Sequence, residues 1–282
     1  MSSDAVLDAR FKRVLRWEPY AVLLLGWLAC ISVPLTLGRI GLSWDALNHH
    51  IYLGWVADRA RFDQDYMAAS LQAYQFPYLY WPVYKLAMMG VSGVTAGIVL
   101  ATLHIVIVPP VWMAARILMP QQTLFGLFLR VAAVVLAFMT ALVMRAFETT
   151  GNDLLAAAPL VWAIVVALKA LDCTYQPGSV FDLRHPVVRA AILSGLLSGL
   201  SIAFKLSNGP LAIVLAPVFL FCRGTPAARL FWAALSLAAM VAAFAAAYGY
   251  WGFKLWQQFG NPLYPFAGGL FEWLGQLAGR LQ

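Results

Sequence analysis

Long, predominantly apolar runs recur along the chain, beginning with "YAVLLLGWLACISVPLTL" at Tyr20–Leu37. A run of about 20 such residues crosses a bilayer as a helix, and in hydrocarbon only a helix satisfies its own backbone hydrogen bonds. Composition points the same way. Of the 282 residues, 62% are hydrophobic and 11% charged, where soluble domains average about half and about a quarter. A soluble fold is excluded.

Further runs lie at Val94–Leu118, Phe125–Met144, Leu154–Leu171, Val187–Phe204, Pro210–Cys222 and Arg229–Trp251. They predict an all-α polytopic transmembrane helical bundle of about seven spans. The fifth and sixth are separated by "KLSNGP", where Asn-Gly and Pro210 turn the chain into a new helix. Residues 1–19 form a basic lead, 20–251 the transmembrane domain with its first outer loop at 39–81, and 252–282 an interfacial tail. No small-residue cleavage site follows the first run, so it is expected to be a retained anchor. Within "SGLLSG", Gly195 and Gly199 have the small-xxx-small spacing of packed membrane helices.

The formal charge of +7 does not imply a nucleic-acid partner, because the basic residues are dispersed at span ends and suit anionic lipid head groups. Cys30, Cys173 and Cys222 are scattered, with the spacing of neither a disulfide framework nor a metal knuckle. Arg10, Lys12, Arg13, Arg16, Arg116, Lys169, Arg184, Arg189, Arg223 and Arg229 fall on the N-terminal face, which predicts that the N-terminus is inside. The outer face then carries Arg39, Arg59, Arg61, Lys85, Arg145, Lys205, Lys254 and Arg280, together with most of the acids. Polar chemistry is expected on that outer face. A transporter or channel is disfavoured, since Arg130 is nearly the sole charge within a span.

The first outer loop opens with "SWDALNHHIYLGWVADRARF", Ser43 to Phe62. Read as a helix, it places Asp45, Asn48, His49 and Tyr52 at i, i+3, i+4 and i+7 on one face. Trp44, Leu47, Ile51 and Trp55 form an apolar stripe beside them, as in an amphipathic helix lying at the interface. Ser43 is a good N-cap, so Asp45 is either a first-turn acid favoured by the helix dipole or the head of a functional stripe. His50 points away from that stripe.

The ordered segments "WDALNHHIYLGWVADRARFDQDYMAASLQAYQFPYLYWPVYKL", "FETTGNDLLAA", "GLLSGLSIAFKLSNGP" and "FGNPLYPF" resemble bacterial GT-C-type polytopic glycosyltransferases of the mannosyltransferase-like kind. The resemblance implies a multi-pass enzyme of the bacterial cytoplasmic (inner) membrane. It would move a sugar from a polyprenyl-phosphate carrier to an acceptor on the outer face. By position, Asp45 matches the acidic residue that acts in that class as base or metal ligand. A divalent metal is thus a cofactor to consider, with no metal ligand set assigned.

Around Asp45, His49 and Asp153 are catalytic candidates, and Asn48, Tyr52, Arg145, Lys205 and Lys254 substrate-binding ones. The cations would meet the charge of a departing lipid phosphate. Each has a plainer alternative. Lys205 suits a helix C-terminus, Arg145 and Glu148 a surface pair, and Asp153 a helix start. Relatives continue well beyond "GNPLYPF", so the chain resembles a shortened member. That leaves a second reading: a non-catalytic scaffold or assembly subunit of a larger membrane complex, with membrane proteins as partners.

Overall fold

The computed structural model describes residues 3–41, 43–65, 70–173 and 182–280. The side chains of Arg10, Lys12, Arg13 and Arg280, counted above toward orientation, lie outside what is described. Among the described residues every regular element is helical.

The first helix, α1, runs unbroken over Ser3–Leu37, and its apolar part begins at Leu15. The basic lead is therefore the first turns of the same helix rather than a separate segment. A π turn at Ala46–His50 leads into α2, Ile51–Val56, and α3 is Trp81–Met88. There follow α4 (Gly93–Leu118, with a tight 3-10 turn at Ile105–Ile107), α5 (Leu124–Phe138) and α6 (Ala141–Ala146). Then come α7 (Asp153–Leu171), α8 (Pro186–Phe204), α9 (Leu206–Phe221), α10 (Pro226–Phe259) and α11 (Gly268–Arg280).

Five of these, α1 from Leu15, α4, α7, α8 and α10, are long and apolar enough to cross a membrane. The chain is thus a multi-pass helical membrane protein, with α5 and α9 as shorter apolar helices between the long ones. The run expected at Phe125–Met144 divides at Met139. There Thr140 starts α6 by accepting the Val143 N–H on its hydroxyl. In α9, Pro217 opens the 3-10 turn Ala216–Phe221, since proline has no N–H to continue an α-helical ladder. At the far end α10 extends to Phe259, past the boundary expected at 251.

The core is built around α8, which presents different small residues to its two neighbours. Toward α7, Ser194 Oγ donates to the Ala163 carbonyl at 3.1 Å and Ser201 Oγ to the Ala156 carbonyl at 2.7 Å. Toward α10, Gly195 and Gly199 approach the backbone so closely that a Cβ would lie 2.2 Å from the Ser236 oxygen and 2.1 Å from that of Met240. The small-xxx-small spacing thus marks a helix contact where nothing larger than hydrogen fits.

A second tie joins α1 to α4 and α5. Arg130 and Glu18 are buried and paired, Nε to Oε1 at 2.7 Å and Nη2 to Oε2 at 2.9 Å. Trp112 Nε1 donates to Glu18 Oε1, and Arg130 Nη1 donates to the carbonyls of Met119 and Gln121. Those two carbonyls follow the end of α4, so the guanidinium also satisfies groups that a helix terminus leaves open. The buried charge of Arg130 is a structural lock.

Two outcomes follow. Gly199→Leu forces α8 from α10 and is expected to cost about 1–3 kcal/mol, read as a lower melting temperature in detergent. Gly249→Ala, where a Cβ meets open space, leaves that temperature unchanged or raised. Glu18→Gln leaves the buried guanidinium uncompensated and should cost about 3–5 kcal/mol, whereas replacing both partners by leucine costs much less in the same melt.

Candidate functional site

The polar residues of the segment 43–65 meet the N-terminus of α7 and the C-terminus of α8. α7 and α8 are registered by the Ser201–Ala156 hydrogen bond, one turn in from Asp153 and from Lys205. Asn208 Nδ2 tightens that register by donating to Ser201 Oγ at 2.9 Å and to the Ala156 carbonyl at 3.2 Å. As a result Lys205 Nζ forms an ion pair with Asp153 Oδ1. The pair joins the acid-favouring start of one helix to the cation-favouring end of the other. It is also partly open, with 34% of the Lys205 side chain and 64% of Asp153 exposed.

Facing it, the 43–56 segment starts as the sequence predicts: Ser43 Oγ accepts the Ala46 N–H at 3.2 Å. It then departs from α-helical spacing. The π turn at Ala46–His50 widens one turn by a residue and shifts the phase of everything after it. Asp45 and His49 stay together, Nδ1 to Oδ1 at 3.9 Å, the aspartate half-exposed and the histidine buried. Tyr52, expected on the same stripe, instead donates to Asp65 Oδ2 at 3.3 Å. Burial first, then Asp65, pushes its phenol up to about 12.

The face that packs on the protein lies beside the apolar stripe. Trp44 and Leu47 of the apolar stripe are 77% and 65% exposed, while Ala46, Leu53 and Val56 are buried. Gly54 permits the contact, because a Cβ there would lie 2.4 Å from the Tyr80 carbonyl oxygen.

His50, set aside on α-helical spacing, lies at the centre of the cluster. Its Nδ1 shares a 2.6 Å hydrogen bond with Thr150 Oγ1, and its ring stacks on Tyr80 at 4.6 Å. The Tyr80 side chain and Asn152 line the same cleft. The His49 ring meets His50 edge-on at 4.5 Å. Burial lowers both histidines. His50 goes down to about 4, with His49 and Lys205 pushing the same way and Asp45 and Asp153 opposing. Both imidazoles are therefore neutral at pH 7. His49 Nδ1 is buried and has no hydrogen-bond partner among the described residues.

Beside this cluster a small cleft of about 110 Å³ lies between Tyr74, Tyr80, Asn152, Lys205, Tyr264 and Phe266. The "GNPLYPF" loop forms one wall. Gly260 ends α10 in the left-handed conformation at φ 66°. Asn261 then braces the loop, accepting the Leu263 N–H at 2.8 Å and donating to the Phe266 carbonyl at 2.7 Å. Tyr264 stacks on Phe259 at 4.0 Å and meets Tyr74 edge-on.

Of the sequence candidates, Asp45, His49, Asp153 and Lys205 come together, with the half-buried Asn48 on the same turn as Asp45. Tyr52 turns to Asp65. Arg145 lines a separate hollow with Arg39 and Glu148, and Lys254 lies over the Tyr250 ring at 5.1 Å. The residues that sequence reasoning missed, His50, Tyr80, Thr150 and Asn152, are joined by the π turn and by tertiary stacking. Neither leaves a mark in residue spacing. Among the described residues no group of three His, Cys, Asp or Glu side chains is placed to hold a metal ion. Asp45 and His49 bring two ligating side chains together, fewer than the three or four of a protein-held metal site.

The chain matches no family model, no curated protein and no solved structure at a significant level.

His50 gives a pH test. Its proton affinity is depressed by burial, so the folded state resists a proton that the unfolded chain accepts near 6.5. The stability from neutral His50 is complete above that pH and is lost as pH falls toward about 4. The melting temperature in detergent should fall over that window, and His50→Gln should flatten the decline.

Proposed function

We propose that the chain is a GT-C-like glycosyltransferase of the bacterial inner membrane, with its N-terminus inside, about seven membrane passes and its site on the outer face. The donor is a sugar on a polyprenyl-phosphate carrier. The observation that carries this reading is the exposed Asp45 carboxylate set 3.9 Å from a buried, unpartnered His49 Nδ1. That separation is too long for a direct hydrogen bond and suits one bridging hydroxyl.

In this reading the acceptor hydroxyl sits between the two groups and attacks the anomeric carbon. Its oxygen forms the new glycosidic bond as the bond from that carbon to the carrier phosphate breaks. The proton passes to Asp45 and the electron pair leaves on the phosphate. Neutral His49 orients the hydroxyl. Lys205 supplies positive charge for the leaving phosphate, with Asp153 holding the ammonium in place until the substrate arrives. Inversion at the anomeric carbon follows from the single displacement.

The scaffold-subunit reading draws its support from the size of the cleft. About 110 Å³ is below the roughly 300–1,000 Å³ typical of small-molecule sites. The two readings separate in one assay, in which purified protein is given polyprenyl-phosphate sugars and membrane-extracted acceptors. The enzyme reading expects turnover that falls by about 100-fold or more in Asp45→Asn, with the melting temperature kept. Turnover equal in both proteins removes Asp45 from the chemistry, and no turnover in either leaves the scaffold.

A further inference from the structure

Beside the Asp45 cluster, three neighbouring hollows on the side of the bundle share lining residues, each with the next. The largest, about 590 Å³, is an apolar groove between α1 and α5. Gly26 and Ala29 keep its α1 wall low, Val131 and Val135 form the α5 wall, and Phe147 lies at its end. At Ser32 and Met144 the groove passes into a second hollow of about 330 Å³, which also includes Arg145 and Glu148. Those two residues are shared with a third hollow of about 400 Å³, lined by Arg39, Ser43 and Thr149 as well. An apolar channel thus ends in a polar pocket at the level of the first outer loop.

The polar end is held together by the backbone. The Gly41 N–H donates to the Glu148 carbonyl at 2.6 Å. Glycine is required for that approach, since a Cβ at position 41 would lie 2.7 Å from the same oxygen. This contact holds the end of α1, with Arg39, against the end of α6, with Arg145. Both guanidiniums are exposed, and among the described residues neither lies within ion-pair distance of a carboxylate. Two arginines and one glutamate give the pocket a formal charge of +1, the complement of a phosphodiester. The guanidinium fork suits phosphate oxygens, and Glu148, Ser43 and Thr149 can accept from hydroxyls beside them.

We propose that this run of hollows is a binding site for one anionic diacyl phospholipid of the bilayer. Its phosphodiester lies between Arg39 and Arg145, and one acyl chain lies in the groove between α1 and α5. The groove opens on helix faces that the bilayer surrounds, where phospholipid is the most abundant molecule, and mass action favours that occupant. The +1 pocket selects an anionic head group over a zwitterionic one and over a dianionic phosphomonoester. The bound lipid fills the gap beside α5, the shorter helix that otherwise rests on α1 and α4 through Arg130. This site is independent of the glycosyl-transfer reading.

The test is native mass spectrometry of the full chain in detergent, titrated separately with phosphatidylglycerol, phosphatidylcholine, polyprenyl phosphate and inorganic phosphate. One phosphatidylglycerol per chain is expected, bound about tenfold more tightly than phosphatidylcholine. Arg39→Gln combined with Arg145→Gln should erase that preference. Val135→Trp, which fills the groove, should weaken both phospholipids together. Asp45→Asn should bind like the parent protein, which separates this result from any failure of the catalytic reading. Equal binding of the two phospholipids, full retention by either arginine or tryptophan variant, or tighter binding of polyprenyl phosphate would overturn the assignment. So would inorganic phosphate binding as well as the lipid.

Discussion

The close approach of α8 to its two neighbours is the constraint on which the rest of the bundle depends. In a bilayer there is no hydrophobic force to bring helices together, so association rests on dispersion and on interhelical hydrogen bonds. α8 uses both on separate faces. Gly195 and Gly199 let the α10 backbone come close enough for dispersion, and Ser194 and Ser201 donate to carbonyls of α7. Because Ser201 and Ala156 are one turn from the helix ends, the same contact that holds the pair also sets Lys205 against Asp153. Packing register and site geometry are one event.

The two ends of the bundle treat charge differently. Near α5, Arg130 is paired with Glu18, both are buried, and Trp112 and the carbonyls of Met119 and Gln121 add three further hydrogen bonds to the pair. Such an arrangement confers specificity more than net stability, because the desolvation of two ions offsets much of their attraction. At the end where the segment 43–56 packs, the groups are left partly open. Asp45, Asp153 and Lys205 remain exposed to differing degrees, and two neutral histidines lie behind them. Groups held near a surface with unfilled hydrogen-bonding capacity are what a polar ligand requires.

The helical reading followed from run length alone, and for α4, α7 and α8 the expected limits fall within one residue of the observed ones. The expected stretch at Phe125–Met144 is instead two helices, because a threonine whose hydroxyl competes for the backbone starts a new turn. Asp45 and His49 were legible as neighbours because i, i+4 pairs survive the π turn between them. Tyr52 was misplaced and His50 discounted for one reason: a widened turn moves later residues around the axis, and no residue pattern announces it.

By itself the sequence determined the solvent, the helical class and the small-residue seam, since each follows from local composition and period. Only the tertiary structure decided that Arg130 is neutralised by Glu18, more than a hundred residues away in sequence. It also decided that Lys205 reaches Asp153, that His50 is stacked on Tyr80, and that Arg39 and Arg145 share a pocket. Each of these joins residues from different helices. Their distances depend on how closely the backbones approach, a quantity set by which atoms are absent at Gly41, Gly54, Gly195 and Gly199.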